Sequence, residues 1–233
     1  MRSLATTVVA GIALCGAVLH AQGAQASPMI DHIVYAAPDL DQAVARVERL
    51  LGVRATAGGS HPGLGTRNAL ISLGPRVYLE IIAPDPAQPA PPQPRVFGID
   101  SLAEPRLVRW VAAGTDLATI VRHARTVGVD LGDVSAGSRR RPDGVQLTWQ
   151  LTDPGVVLGD GLVPFFIDWA NTPHPAASAA KGATLVELRV EHPEPERING
   201  IYRTLGLPIT VRRGAAARLV AVIDGPRGRI ELH

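Results

Sequence analysis

Three side chains in this sequence stand where apolar neighbours make an ionisable group costly. His32 lies in the run Ile30-Asp31-His32-Ile33-Val34-Tyr35-Ala36, which reads as a strand carrying an imidazole. Glu80 lies in Val77-Tyr78-Leu79-Glu80-Ile81-Ile82, and Asp168 in Phe165-Phe166-Ile167-Asp168-Trp169. Burying a carboxylate there is unfavourable unless it is paired, so both are candidate catalytic acids or bases. His61 falls in a glycine-rich stretch, 60–68, that reads as a loop able to reach over a cleft. Each also has a structural reading, as a hydrogen-bonded core histidine, a paired carboxylate or a solvated loop residue. Trp110, Trp149 and Trp169 read first as core, and His123, His192 and His233 as surface or terminal positions. The dense basic run Arg139-Arg140-Arg141 reads as a solvated loop or strand end rather than a polyanion site.

The elements that must position these groups recur three times. Each unit is an apolar strand, a capping acid, a short amphipathic helix and a glycine stop. The expected helices are 40–51, 117–127 and 196–205, each with apolar residues at three- and four-residue steps. Asp39 and Asp116 are N-cap candidates, and Gly52, Gly128 and Gly206 are the stops, 76 and 78 residues apart. Strands are expected after each helix: 68–73 and 77–82, 145–151 and 162–169, then 219–223 and 229–232. The proline-rich 84–94 and the stretch 174–181 read as linkers. The fold expected is α+β, built from three strand–helix–three-strand units (βαβββ) whose sheets pair around a cleft.

The 233 residues carry a net charge of +2 and only 4% aromatics, which argues against nucleic acid. No Walker loop, dinucleotide fingerprint or Ser-His-Asp order is present. Residues 1–26 read as a secretory signal peptide: Arg2, a charge-free apolar run, then Ala24-Gln25-Ala26 before Ser27. That reading implies a periplasmic or secreted protein with no stable membrane span after cleavage; the competing reading starts translation at Met29. Cys15 is the only cysteine, so a mature chain would hold neither disulfide nor thiolate ligand.

The first strand, with 77–84 some 48 residues later, resembles the vicinal oxygen chelate superfamily, and more narrowly the glyoxalase-like domain proteins. The stretches 60–68, 139–144 and 164–169 are similar to that subfamily as well. The resemblance implies 29–174 as a glyoxalase-like domain of two modules, with a third module at 183–233. It implies metal ligands from the first and last strand of each paired module: His32 and Glu80 in module one, and Glu187 and Glu231 at the matching places of module three. In module two, Arg109 stands at the His32 position and Asp168 near the Glu80 position. The cofactor so implied is a divalent ion, Mn, Fe, Ni, Zn or Mg, and pairing modules one and three gives an oxygen-rich site suited to Mn, Fe or Mg. Pairing one and two puts Arg109 at the site, where a guanidinium holds substrate rather than metal. His61, Asn68, Arg109 and Trp110 are the substrate-binding candidates so implied.

Two functions follow as expectations. One is an exported, divalent-metal-dependent lyase, isomerase or hydrolase acting on a small oxygen-bearing molecule, with Glu80 and Asp168 catalytic. The other is a binding protein that sequesters a small ligand in the same cleft. An odd number of modules also raises pairing with a second copy as a homodimer.

Overall fold

The computed structural model describes residues 30–233; the expected signal peptide and Met29 lie outside them. The first unit runs β1 (Ile30–Ala36), α1 (Leu40–Leu51), β2 (Thr56–His61), β3 (Thr66–Gly74) and β4 (Val77–Pro84). The second runs β5 (Arg106–Ala113), α2 (Leu117–Thr126), β6 (Ser135–Arg140), β7 (Gln146–Leu151) and β8 (Phe165–Asp168). The third runs β9 (Thr184–His192), α3 (Pro195–Thr204), β10 (Val211–Arg213), β11 (Arg218–Gly225) and β12 (Gly228–Leu232). Asp39 and Asp116 cap α1 and α2 by accepting from Gln42 N and Thr119 N, and Gly52, Gly128 and Gly206 all take positive φ. The second strand of each unit escapes the apolar pattern: β2 reads TAGGSH, β6 SAGSRR and β10 only VRR.

Units one and two share one sheet of eight strands, ordered β2-β3-β4-β1-β5-β8-β7-β6, and antiparallel pairing of β1 with β5 joins them. In each half the first strand runs parallel to the last. The sheet curls until its edge strands β2 and β6 meet, with Arg139 donating to the Gly58 carbonyl. Two glycines of β2 leave room for its neighbours, Gly59 for β6 and Gly58 for β3. A Cβ on Gly59, at φ 132°, would lie 2.5 Å from Arg140 O, and one on Gly58 would collide with the Asn68 side chain.

Unit three keeps the expected element order but departs from the expected repeat in its pairing. Its strands run β10-β9-β11-β12, with β9 beside β10 and β11 instead of beside its last strand. It forms a separate four-stranded sheet against the helical face of the first, and one buried cluster runs from Ile33, Leu51 and Trp110 to Leu185, Ile198 and Tyr202. The expected linker at 174–181 is packed too: Ser72 N donates to Ala180 O, and Lys181 Nζ to Ser72 Oγ. Among the described residues no helix is long and apolar enough to cross a membrane.

Trp110, expected at a substrate site, instead locks units two and three together. It is fully buried, and its Nε1 donates to Leu162 O at 2.8 Å and to Tyr202 Oη at 3.0 Å. Tyr202 Oη donates to the same carbonyl at 2.7 Å. Tyr202→Phe leaves Trp110 its carbonyl, so a loss of about 0.5–1.5 kcal/mol is expected. Trp110→Ala opens a cavity as well, and about 3–5 kcal/mol is expected. Urea unfolding of both variants checks the order.

Candidate functional site

The concave face of the eight-stranded sheet encloses a cleft of 540 Å³, about the size of a small-molecule pocket. Its polar wall comes from unit one. His32 on β1, His61 at the end of β2, Asn68 on β3 and Glu80 on β4 all line it, and all four are buried. Its apolar wall comes mainly from unit two, as Trp149, Phe165, Ile167 and Trp169. Tyr78 stacks on His32 with ring centroids 4.5 Å apart, and Phe165 meets the same imidazole edge-on at 6.3 Å.

His32 is held by its neighbour. Its Nδ1 lies 2.7 Å from Asp31 Oδ1, so a neutral ring donates Nδ1–H and turns the Nε2 lone pair to the cleft. Asp31 is 1% exposed and also accepts from Trp169 Nε1 at 3.1 Å and His174 Nε2 at 3.1 Å. The tautomer of His174 is fixed, because its Nδ1 accepts from Ala176 N. Burial opposes the charge on Asp31, but the hydrogen bonds from His174 and His32 outweigh it and hold its carboxyl at about 2. The β1–β5 register slips between Ile30 and His32, so Asp31 sits at an irregularity where strict alternation fails.

On the neighbouring strand of the same wall, Glu80 Oε2 lies 3.7 Å from His32 Nε2. Its other oxygen accepts from Asn68 Nδ2 at 2.6 Å and lies 3.9 Å from His61 Nε2. Asn68 Nδ2 also approaches His61 Nε2 at 3.3 Å, while His61 Nδ1 lies 2.9 Å from Thr66 Oγ1. Burial pushes the His61 imidazolium down from its ordinary value, against the pull of Glu80. Burial also raises the Tyr78 phenol well above its usual range, with the charges of Asp31 and Glu80 adding to the effect.

The fit to a metal is mixed. Two imidazole nitrogens and a carboxylate are the right donor types for a borderline dication. Yet the Asn68 amide already bridges Glu80 and His61, placing an N–H where an ion would need a lone pair. Among the described residues no group of three or more His, Cys, Asp or Glu is arranged to hold a metal ion.

The structure brings His32, His61, Asn68 and Glu80 together and separates the rest of the expected set. Glu187 and Glu231, expected as ligands with His32, belong to the second sheet, where Glu187 pairs with Arg212 at 2.8 Å and Glu231 with Arg189 at 2.5 Å. Asp168, expected as catalytic, does not line the cleft. Alternation on β8 sends Phe165 and Ile167 inward, and Asp168 Oδ1 accepts from Ala170 N at 2.7 Å. Arg109, expected to hold substrate, lines a different cavity. Sequence reasoning missed Asp31, His174 and Arg139. Arg139 is no solvated loop residue: it is 3% exposed, lines the cleft and has no carboxylate within 4.0 Å among the described residues. The sign that could have found it is its place on a short strand beside Ser138, where alternation turns one arginine of the run inward.

A sequence profile of the Glyoxalase-like domain matches residues 30–206, so the chain belongs to that family, within the vicinal oxygen chelate superfamily. A crystal structure of a hypothetical protein from Staphylococcus aureus is similar at TM-score 0.62 and 13% identity, covering 85% of this chain and 92% of that one. Methylmalonyl-CoA epimerase from Mycobacterium tuberculosis aligns at TM-score 0.41 and 22% identity, covering 68% of this chain and 97% of its own. A Streptomyces coelicolor methylmalonyl-CoA epimerase in complex with 2-nitronate-propionyl-CoA aligns at 0.43 and 21%, covering 61% and 97%. No curated protein matches the sequence.

Because the folded Asp31 carboxyl lies near 2 rather than 3.8, it adds about 2 kcal/mol of stability above pH 4. That share is lost as pH falls from about 4 through 2. His61, whose imidazolium the fold disfavours, costs stability as pH falls below its usual value near 6.5. Urea unfolding across pH 2–8 should therefore show stability falling in two steps on acidification, and Asp31→Asn should flatten the lower one.

Proposed function

We propose that the cleft binds a small, oxygen-bearing organic anion and moves a proton on it, the chemistry of an isomerase or lyase. The observation that carries this reading is the His32–Glu80 pair. With Nδ1–H given to Asp31, Nε2 offers a lone pair, and it faces a carboxylate oxygen at 3.7 Å. In that tautomer Nε2 and the Glu80 oxygen converge on one point of the cleft, where a substrate O–H or C–H can lie against both. Glu80 is the base, positioned by Asn68; His32 is its partner, positioned by Asp31. Arg139 holds the substrate's anionic group, and the wall of Trp149, Phe165 and Trp169 excludes water, which strengthens both interactions.

A divalent ion, common in this superfamily, would use His32, His61 and Glu80 and supply a Lewis acid for the substrate oxygens. It would have to displace the Asn68 amide from Glu80, so ion and amide compete. Removing the amide in Asn68→Ala is expected to tighten Mn or Zn binding by about tenfold, roughly one hydrogen bond to a charged group. Calorimetric titration of wild type and variant reads it directly.

The sequestering alternative is favoured by the aromatic wall, and one experiment separates the two. The protein is incubated in D₂O with a panel of 2-hydroxy and 2-oxo acids, and exchange is followed by NMR at C2 of the hydroxy acids and at C3 of the oxo acids. Exchange that Glu80→Gln abolishes, and that Arg139→Gln weakens through KM, supports the enzyme. Saturable binding of panel members without exchange would mark a binding protein. Export is part of the same proposal, supported by the character of residues 1–26, and N-terminal sequencing of the mature protein checks it.

A further inference from the structure

A second cavity, of 880 Å³, lies where all three units meet. Unit one gives it Arg46 of α1, unit two gives Arg106 and Arg109 of β5 with the loop at 154–162, and unit three closes it with Leu219 and Glu231. Its charge is one-sided. Arg95 and Arg218, also in the lining, are paired to Asp100 and Glu191. The two lining acids are held as well, Asp160 by His192 and Arg197, and Glu231 by Arg189. Arg46, Arg106 and Arg109 have no carboxylate within 4.0 Å among the described residues.

Arg109 is the centre of this arrangement. It is 8% exposed, and only its Nη1 is bonded among the described residues, to Val108 O at 3.1 Å and Gly161 O at 3.2 Å. Burial alone pushes its guanidinium down, with no acid to offset the cost. Gly161 is shaped to receive it: at φ 86°, a Cβ there would lie 2.1 Å from Arg109 Nη1. A buried guanidinium without a counter-charge is unfavourable, and a backbone cradle that keeps it so suits a ligand that brings the charge.

We infer that this cavity is a binding site for a small polyanion of the phosphate type, gripped by Arg109 from within and by Arg46 and Arg106 at the rim. Three guanidiniums on two elements match several oxygens at once, which a monoanion cannot satisfy. The site adjoins the acid–base cleft, with Val96, Phe97 and Pro154 as a shared wall, but Arg46, Arg106 and Arg109 line only the larger cavity. It gives unit three a role in ligand binding as well as in covering the sheet.

The test is calorimetric titration of the purified protein with inorganic pyrophosphate at constant ionic strength. Saturable one-to-one binding is expected, weakened at least tenfold by Arg109→Gln and by Arg106→Gln, and left unchanged by Arg139→Gln in the cleft. Arg106 and Arg46 are exposed, so their variants carry the test if Arg109→Gln does not fold. Heats that do not saturate, affinity that Arg106→Gln and Arg46→Gln leave intact, or binding lost in Arg139→Gln would each overturn the site.

Discussion

The buried Asp31 carboxylate is the constraint on which the site depends. One charge at the start of β1 is satisfied by three N–H donors from three places: His32 beside it, Trp169 after β8, and His174 in the segment that leads to unit three. A carboxylate removed from water must be neutralised by such donors or it destabilises the fold. The donors therefore have to arrive together, and their arrival draws the second half of the sheet onto the first. The same bonds fix the His32 ring, so what stabilises the junction also aims its Nε2 into the cleft.

The two halves of the eight-stranded sheet repeat one topology but have diverged in chemistry. Unit one supplies the imidazoles, the amide and the carboxylate; unit two supplies aromatic rings and Arg139. A symmetric fold thus yields a polar wall facing an apolar one, suited to a ligand with an anionic, oxygen-rich end and a hydrophobic remainder. Closure at β2 and β6 is part of this, because the bond from Arg139 to Gly58 that joins the edges also holds a guanidinium in the lining of the cleft that Glu80 shares.

Polar groups that the sequence scatters are brought together by curvature. Asn68 is twelve residues from Glu80 in the chain, yet it decides what that carboxylate can bind. Its Nδ2 is committed to Glu80, while its Oδ1 is buried with no partner among the described residues. Such an unpaired acceptor marks an amide whose orientation is set by the carboxylate, and it places the competition between hydrogen bond and cation at one side chain.

The sequence by itself determined the helices, their caps and glycine stops, the doubled module, and the places of His32 and Glu80 in apolar strands. Those features are local: 3.6-residue and two-residue periodicity, positive φ at glycine, and the cost of a charge among apolar neighbours. Only the tertiary structure decided the rest. Asp168 reads like Glu80 in sequence, but a strand of four residues turns it away from the cleft. Glu187 and Glu231 keep the expected order of elements, but β9 pairs with β10 and β11 and carries them to another sheet. Trp110 left the site for the joint between units, and Arg139 entered it from a run that looked solvated. Which face a side chain takes, and which strand lies beside it, depend on register and long-range pairing, and no window of sequence contains them.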